Sequence, residues 1–160
     1  MTFQRHRLLM LGLFMLVCFS AEFIGGLFTQ QSVHSWYLQL IKPTWTPPAF
    51  VFAPVWTLLY FLMAISIWLI WDTISQRSKN AAYVLFSTQL ILNMLWSALF
   101  FSMRSPSLAL IDISFLWLLI VWMIVSFHAI RPSAAYFQIP YLLWTSYAWA
   151  LNFSIWQLNR

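Results

Sequence analysis

The sequence predicts an all-α integral membrane protein, a bundle of five transmembrane helices with almost nothing outside the bilayer. Composition is the first reason. Of 160 residues, 62% are hydrophobic and 7% charged, against about 45–50% and about 25% in an ordinary soluble domain. Eight Lys+Arg and three Asp+Glu cannot cover the surface of a water-soluble globule. The second reason is length, since apolar stretches of the ~20 residues that cross ~30 Å of hydrocarbon recur along the chain. The third is chemical. Lipid offers no hydrogen bonds, so each spanning segment must satisfy its own backbone, which makes the segments helices.

The first helix is expected at about Leu8–Thr29. Arg5 and Arg7 before it imitate a signal peptide, but the apolar run is long and has no small-residue cleavage site, so it is retained. Further helices are expected at about Pro47–Trp71, Ala81–Ser102, Pro106–His128 and Ala134–Trp156, forming one membrane domain over residues 1–160. The connections Asp72–Asn80, Met103–Ser105 and Ala129–Ser133 are short, which predicts antiparallel packing of successive helices. The one substantial loop, about Gln30–Thr46, shares a face with the helix 3–4 connection and the end of the last helix. Arg5, Arg7, Arg77, Lys79 and Arg131 lie on the opposite face, against Lys42, Arg104 and Arg160, which favours a cytoplasmic N-terminus. These cations are scattered rather than clustered, so the formal charge of +5 marks topology and not nucleic-acid binding. Cys18 has no disulfide partner, and His6, His34 and His128 share no ligand spacing, so no metal site is expected.

Prolines punctuate the helices. Pro47, Pro48 and Pro106 suit first turns, where a missing N–H costs nothing. Pro54 and Pro140 are expected inside helices, kinking them and freeing the carbonyls of Phe50 and Tyr136.

Eleven tryptophans invite an aromatic-belt reading, and Trp36, Trp45, Trp71 and Trp156 fit it. Trp56, Trp96 and Trp144 do not, since at ~1.5 Å per residue Trp56 and Trp144 lie roughly 14–15 Å inside their helices. A buried indole N–H needs a partner, which a neighbouring helix or a ligand can supply. In the third helix Gln89, Asn93 and Ser97 recur at i, i+4 and i+8 as one polar stripe flanked by Trp96 and Phe100. Trp144, Ala148 and Asn152 repeat that spacing in the last helix, and Trp56, Tyr60 and Ala64 in the second. A small residue beside a flat ring leaves a gap. Counted from the loop face, Trp56, Asn93 and Asn152 share one half of the bilayer and Trp144 lies near its middle, which points to a single pocket. Asn93 is expected to bond a ligand carbonyl or carboxylate. Glu22 and Asp112 lie in apolar segments, with interhelical bonding, protonation or a partner such as Arg104 open to them. No Ser/His/Asp set, phosphate loop or catalytic carboxylate pair is present.

The motifs Trp36-Tyr37, Lys42-Pro43-Thr44-Trp45-Thr46-Pro47-Pro48 and Pro54-Val55-Trp56-Thr57-Leu58-Leu59-Tyr60 resemble the first loop and second helix of the TspO/MBR family. These are the tryptophan-rich sensory proteins of bacteria, related to the mitochondrial translocator protein, or peripheral benzodiazepine receptor. The resemblance runs on through Leu92-Asn93-Met94-Leu95-Trp96-Ser97, Asp112, Pro140-Tyr141-Leu142-Leu143-Trp144 and Ala150-Leu151-Asn152. It implies a pocket closed by the first loop that takes protoporphyrin IX or haem, with sterols or isoquinoline carboxamides in relatives. It also implies a homodimer in the lipid bilayer of a bacterial cell envelope, with no obligatory cofactor. Carried over, the ligand-binding residues are Tyr37, Trp56, Asn93, Trp144 and Ala148. Trp56 and Trp144 would also serve light-dependent oxidation of bound porphyrin. No tyrosine stands close enough before Arg160 for the C-terminal cholesterol pattern. The activities that follow are tetrapyrrole binding and sensing, photo-oxidative degradation of the porphyrin, or passive transport of porphyrins or sterol-like ligands.

Overall fold

The computed structural model describes residues 2–75 and 78–160, so Arg77, counted above among the topology signals, lies outside the described residues. Among the described residues seven α-helices follow in order: α1 Thr2–Gln30, α2 Trp36–Gln39, α3 Ala49–Asp72, α4 Asn80–Ser97, α5 Pro106–Ile130, α6 Pro132–Tyr136 and α7 Ile139–Leu158. A π-helical turn, Ala98–Ser102, continues α4. Among the described residues four segments are long and apolar enough to cross a membrane: Gln4–Gln30, Ala49–Asp72, Asn80–Ser102 and Pro106–Ile130. The final helix, α7, has 20 residues and intersperses Thr145, Ser146, Asn152, Ser154 and Gln157 among its apolar ones. It is not among these four.

Helix α1 begins earlier than its apolar run, because Arg7 is held at the end of α3 by Asp72, Nη2 to Oδ2 2.6 Å. Trp68 Nε1 donates to the Arg7 carbonyl at 3.1 Å, and Arg131 approaches the same Asp72 oxygen at 3.8 Å. These contacts tie α1, α3 and the α5–α6 junction together at the face opposite the first loop.

The predicted helix over 134–156 divides in two. Pro140 lies in the first turn of α7 rather than inside a kinked helix, and the chain leaves α6 at Tyr136. A proline disfavours helical geometry in the residue before it, while its own fixed φ suits a first turn, so a new start costs less than a kink. Pro54 does lie within α3, whose N-cap is Pro48. Pro106 opens α5, with the Ser105 hydroxyl accepting from Leu108 N–H. Arg104, just before it, takes a left-handed φ of 51° to turn the chain between the helices.

Successive helices are not all neighbours, contrary to the expectation from short loops. Helix α1 packs on both α3 and α4, whose backbones stay apart and meet through side chains such as Tyr60 and Asn93, while α4 packs on α5 and α5 on α7, and α6 fills against α3 and α5. Helix α1 meets α4 at Gly25, where an added Cβ would make ordinary contact with Ser97 Oγ at 3.5 Å. Met63, Ile67, Ile70, Ile120, Met123 and Phe127 make the fully buried core of the half away from the first loop. Large apolar residues such as Leu16, Phe23, Phe115, Leu118 and Trp122 point outward, where a soluble protein would carry charge.

Candidate ligand-binding cavity

The half of the bundle beneath the first loop is hollow. A cavity of about 520 Å³ is lined by all five residues singled out above, Tyr37, Trp56, Asn93, Trp144 and Ala148. Its volume falls within the ~300–1,000 Å³ of small-molecule sites. The first loop contributes Tyr37, Leu38, Lys42, Thr46 and Pro47, so this segment roofs the space.

Each wall follows from local sequence. Helix α3 supplies Phe52, Ala53 and Trp56, one face of its first turns. The Trp56 ring lies against Tyr60 at 5.9 Å and Tyr141 at 6.4 Å, centroid to centroid. Helix α7 supplies Trp144, which meets Phe52 edge-on at 5.9 Å, with Ala148 one turn on. The Trp144 Nε1 is buried with no hydrogen-bond partner in the structure. A donor left unpaired beside a cavity costs free energy unless a ligand or water meets it.

Sequence reading missed the π turn. The extra residue at Ala98–Ser102 shows in bonds from Met103 N–H to the Ala98 carbonyl, 2.9 Å, and brings adjacent Phe100 and Phe101 both inward. Phe100 stacks on Trp96 at 5.3 Å, and Tyr37 packs against Phe100 and Phe101 at 6.2 and 5.6 Å. The Ser32 hydroxyl fastens the roof by donating to the Phe101 carbonyl at 2.6 Å. Apolar periodicity does not announce a π turn, which inserts one residue without changing residue type.

The floor is a hydrogen-bonded layer. Asn93 Oδ1 accepts from the Tyr60 hydroxyl at 2.6 Å, and Asn93 Nδ2 donates to the Tyr141 hydroxyl at 2.8 Å. Its carboxamide therefore joins α3, α4 and α7 and retains one N–H and one lone pair for a ligand. A second carboxamide, Asn152, accepts from Trp96 Nε1 at 3.0 Å and donates to the Pro106 carbonyl at 2.8 Å. Trp96 thus spends its N–H on a neighbouring helix, unlike Trp144.

Charge is sparse. Lys42 Nζ sits 4.7 Å above the Tyr37 ring and donates to the Leu40 carbonyl, a cation held at the roof. Burial, and after it the nearby Tyr147, push the Tyr37 phenol above its usual range, so it remains a protonated donor at neutral pH. Glu22 reaches the cavity from α1 and accepts from the Thr57 hydroxyl at 2.6 Å, the interhelical role open to it. Asp112 is buried with Oδ2 unpaired, and no ion pair to Arg104 forms among the described residues. Neither is there a cluster of three or more His, Cys, Asp or Glu side chains among the described residues.

The profile of the TspO/MBR family matches residues 14–157. This chain belongs to the TspO/MBR family. It is 40% identical over 157 residues to the tryptophan-rich protein TspO of Chlorobaculum tepidum, covering 98% of this chain and 99% of that protein. The TspO of Archaeoglobus fulgidus is 42% identical over 137 residues, covering 86% and 88%. The translocator protein of Bos taurus is 35% identical over 140 residues, covering 86% and 83%. Membership and four apolar spans together make this TspO/MBR chain a multi-pass integral membrane protein, of a family whose members carry sensory and translocator names.

Proposed function

We propose that this TspO/MBR protein is a membrane receptor that takes a tetrapyrrole, protoporphyrin IX or haem, into the cavity beneath its first loop. The observation that carries the reading is a cavity of about 520 Å³ walled by Phe52, Trp56, Trp96, Phe100 and Trp144 with Lys42 at its roof. A porphyrin is a flat apolar ring with anionic edges. Aromatic walls supply stacking faces, Lys42 a counter-charge, and Trp144 Nε1 and Asn93 donors for a carboxylate or ring nitrogen. Helix α7 is the fifth span in this reading, and the receptor pairs as a homodimer through lipid-facing helices. Passive transport fits less well. Below the cavity the Tyr60–Asn93–Tyr141 layer and the buried core of α3 and α5 leave a large ring no passage.

Titrating the detergent-solubilised protein with protoporphyrin IX tests the proposal. Saturable tryptophan quenching at one porphyrin per chain is expected, and unsaturable quenching equal to that of empty micelles would discard it. In the same complex, hydrogen exchange of the loop amides over 36–46 is expected to slow with bound porphyrin, because the ring contacts Tyr37 and Lys42 from below. Identical exchange with and without ligand would leave the loop without a gating role.

Illuminated porphyrin sensitises oxygen, and indoles at Trp56 and Trp144 are the readily oxidised side chains on either side of the ring. Light-driven degradation of bound protoporphyrin IX is expected to slow several-fold in Trp56→Phe and Trp144→Phe, while binding weakens by the ~0.5–1.5 kcal/mol of a lost hydrogen bond or less. Phenylalanine keeps a stacking face and removes the oxidisable indole. Variants that degrade porphyrin like the parent would reduce both tryptophans to packing roles.

A further inference from the structure

The first loop is fastened from the far end of α7 by one side chain. Asn159, the residue after Leu158, accepts from Ile41 N–H on Oδ1 at 2.9 Å and donates from Nδ2 to the Ile41 carbonyl at 2.9 Å. Its Nδ2 also donates to the Ile155 carbonyl, one turn back, at 2.8 Å. Both amide hydrogens and the carbonyl oxygen are thereby engaged, and the amide plane is oriented by its own helix before it meets the loop. It satisfies both backbone groups of a single loop residue, as a neighbouring strand would.

Ile41 has little else to hold it. The residue is 59% exposed. It stands between Leu40, which packs in the apolar cluster of Phe100 and Leu151, and Lys42, which lines the cavity. Four residues further on, Tyr147 donates to the Trp45 carbonyl at 2.8 Å and its ring meets Trp45 edge-on at 5.5 Å. Ile41 and Trp45 are therefore attached at points twelve residues apart on α7, roughly 18 Å along its axis. The strap lies along α7, its lower attachment aromatic and its upper one amide. Both attachments are exposed, but only the one at Asn159 has no ring contact beside its hydrogen bonds, so opening costs least there.

We propose that Asn159 is the catch of the cavity, a positioning residue that sets how long the roof stays closed and so how fast a ligand enters and leaves. It touches the loop, not the ligand. The proposal rests on the receptor reading above only for what occupies the cavity. A catch that holds a roof shut slows uptake and release together, and so changes rates more than affinity.

Stopped-flow mixing of protoporphyrin IX with full-length protein in detergent, read by tryptophan quenching, separates a catch from a generic structural contact. Asn159→Leu removes every bond of the amide, and association and dissociation rates are both expected to rise about tenfold, the worth of two solvent-exposed hydrogen bonds, with Kd within threefold of the parent's. Asn159→Asp keeps the acceptor for Ile41 N–H and loses the two donations, so its rates are expected to fall between. Rates that stay at the parent's values overturn the proposal, as does slower association with weakened binding, the mark of a collapsed site. A second measurement needs no ligand. Hydrogen exchange of peptides spanning Ile41 in the unliganded protein is expected to quicken about tenfold in Asn159→Leu while peptides of α5 stay as protected as in the parent. Unchanged exchange at Ile41 overturns the catch even where porphyrin binds, and quickened exchange upholds it even where porphyrin fails to bind and the receptor reading falls.

Discussion

Asn93→Leu is expected to lower the thermal unfolding midpoint in detergent by on the order of 10 °C, the largest stability effect of a single substitution in the cavity. The reason lies in what it leaves behind. Tyr60 and Tyr141 are 3% and 1% exposed and their hydroxyls meet on the Asn93 carboxamide, one as donor and one as acceptor. Leucine fills the volume but strands both, and a buried polar group left unpaired costs roughly 1–3 kcal/mol. The expected total is about 2–6 kcal/mol. The same physics predicts a rescue. Tyr60→Phe with Tyr141→Phe in the Asn93→Leu background removes the stranded hydroxyls, and replacing all partners by apolar groups of like shape is nearly neutral. A triple variant no more stable than Asn93→Leu alone would show that the layer contributes packing and not hydrogen bonding. The midpoint is read from tryptophan emission during heating, with circular dichroism as a second probe.

Trp144→Ala is expected to weaken protoporphyrin IX binding by roughly 10- to 100-fold with little change in the unfolding midpoint. Trp144 is half-buried and lines the cavity, while the rest of its ring packs against the main core cluster, which also holds its unpaired N–H. A large side chain fully covered by a partner contributes about 1.5–3 kcal/mol of burial, which converts to that range of affinity. Phe52 and Tyr147, its ring neighbours at 5.9 and 5.6 Å, are left in place, so the wall persists with a gap in it. Affinity is measured by the shift of the porphyrin absorption band, which does not depend on the tryptophan removed. An Ala variant that binds like the parent would place the ring elsewhere in the cavity.

Some of this architecture is legible from residue spacing alone. Gln89, Asn93 and Ser97 repeat at i+4 and are all buried on α4, as a polar stripe in lipid must be. Counting helical rise draws Trp56, Asn93, Asn152 and Trp144 together, Ala148 shares their i+4 row, Tyr37 comes from the motif, and the cavity is lined by all six. Other features carry no local signal. Asn159 and Ile41 are 118 residues apart and both exposed, so neither periodicity nor burial pairs them. Tyr141 reads as one more aromatic in an aromatic helix, and only the convergence of α3, α4 and α7 reveals it as a floor.

The chain by itself determined its solvent. With 7% charged residues, lipid is the only surrounding it can tolerate, and lipid in turn dictates helices, their length and the inward turn of carboxamides. Those consequences are local, because every segment must satisfy its own backbone in hydrocarbon wherever its neighbours lie. Tertiary structure decided which helix stands beside which. Helix α1 packs against both α3 and α4, and the π turn adds a residue before Met103. These choices follow from packing between distant segments, where Gly25 meets Ser97 and Arg7 meets Asp72, and no window of neighbouring residues contains both partners. The cavity is a product of that second kind of choice, since a hollow belongs to the arrangement of helices and to none of them singly.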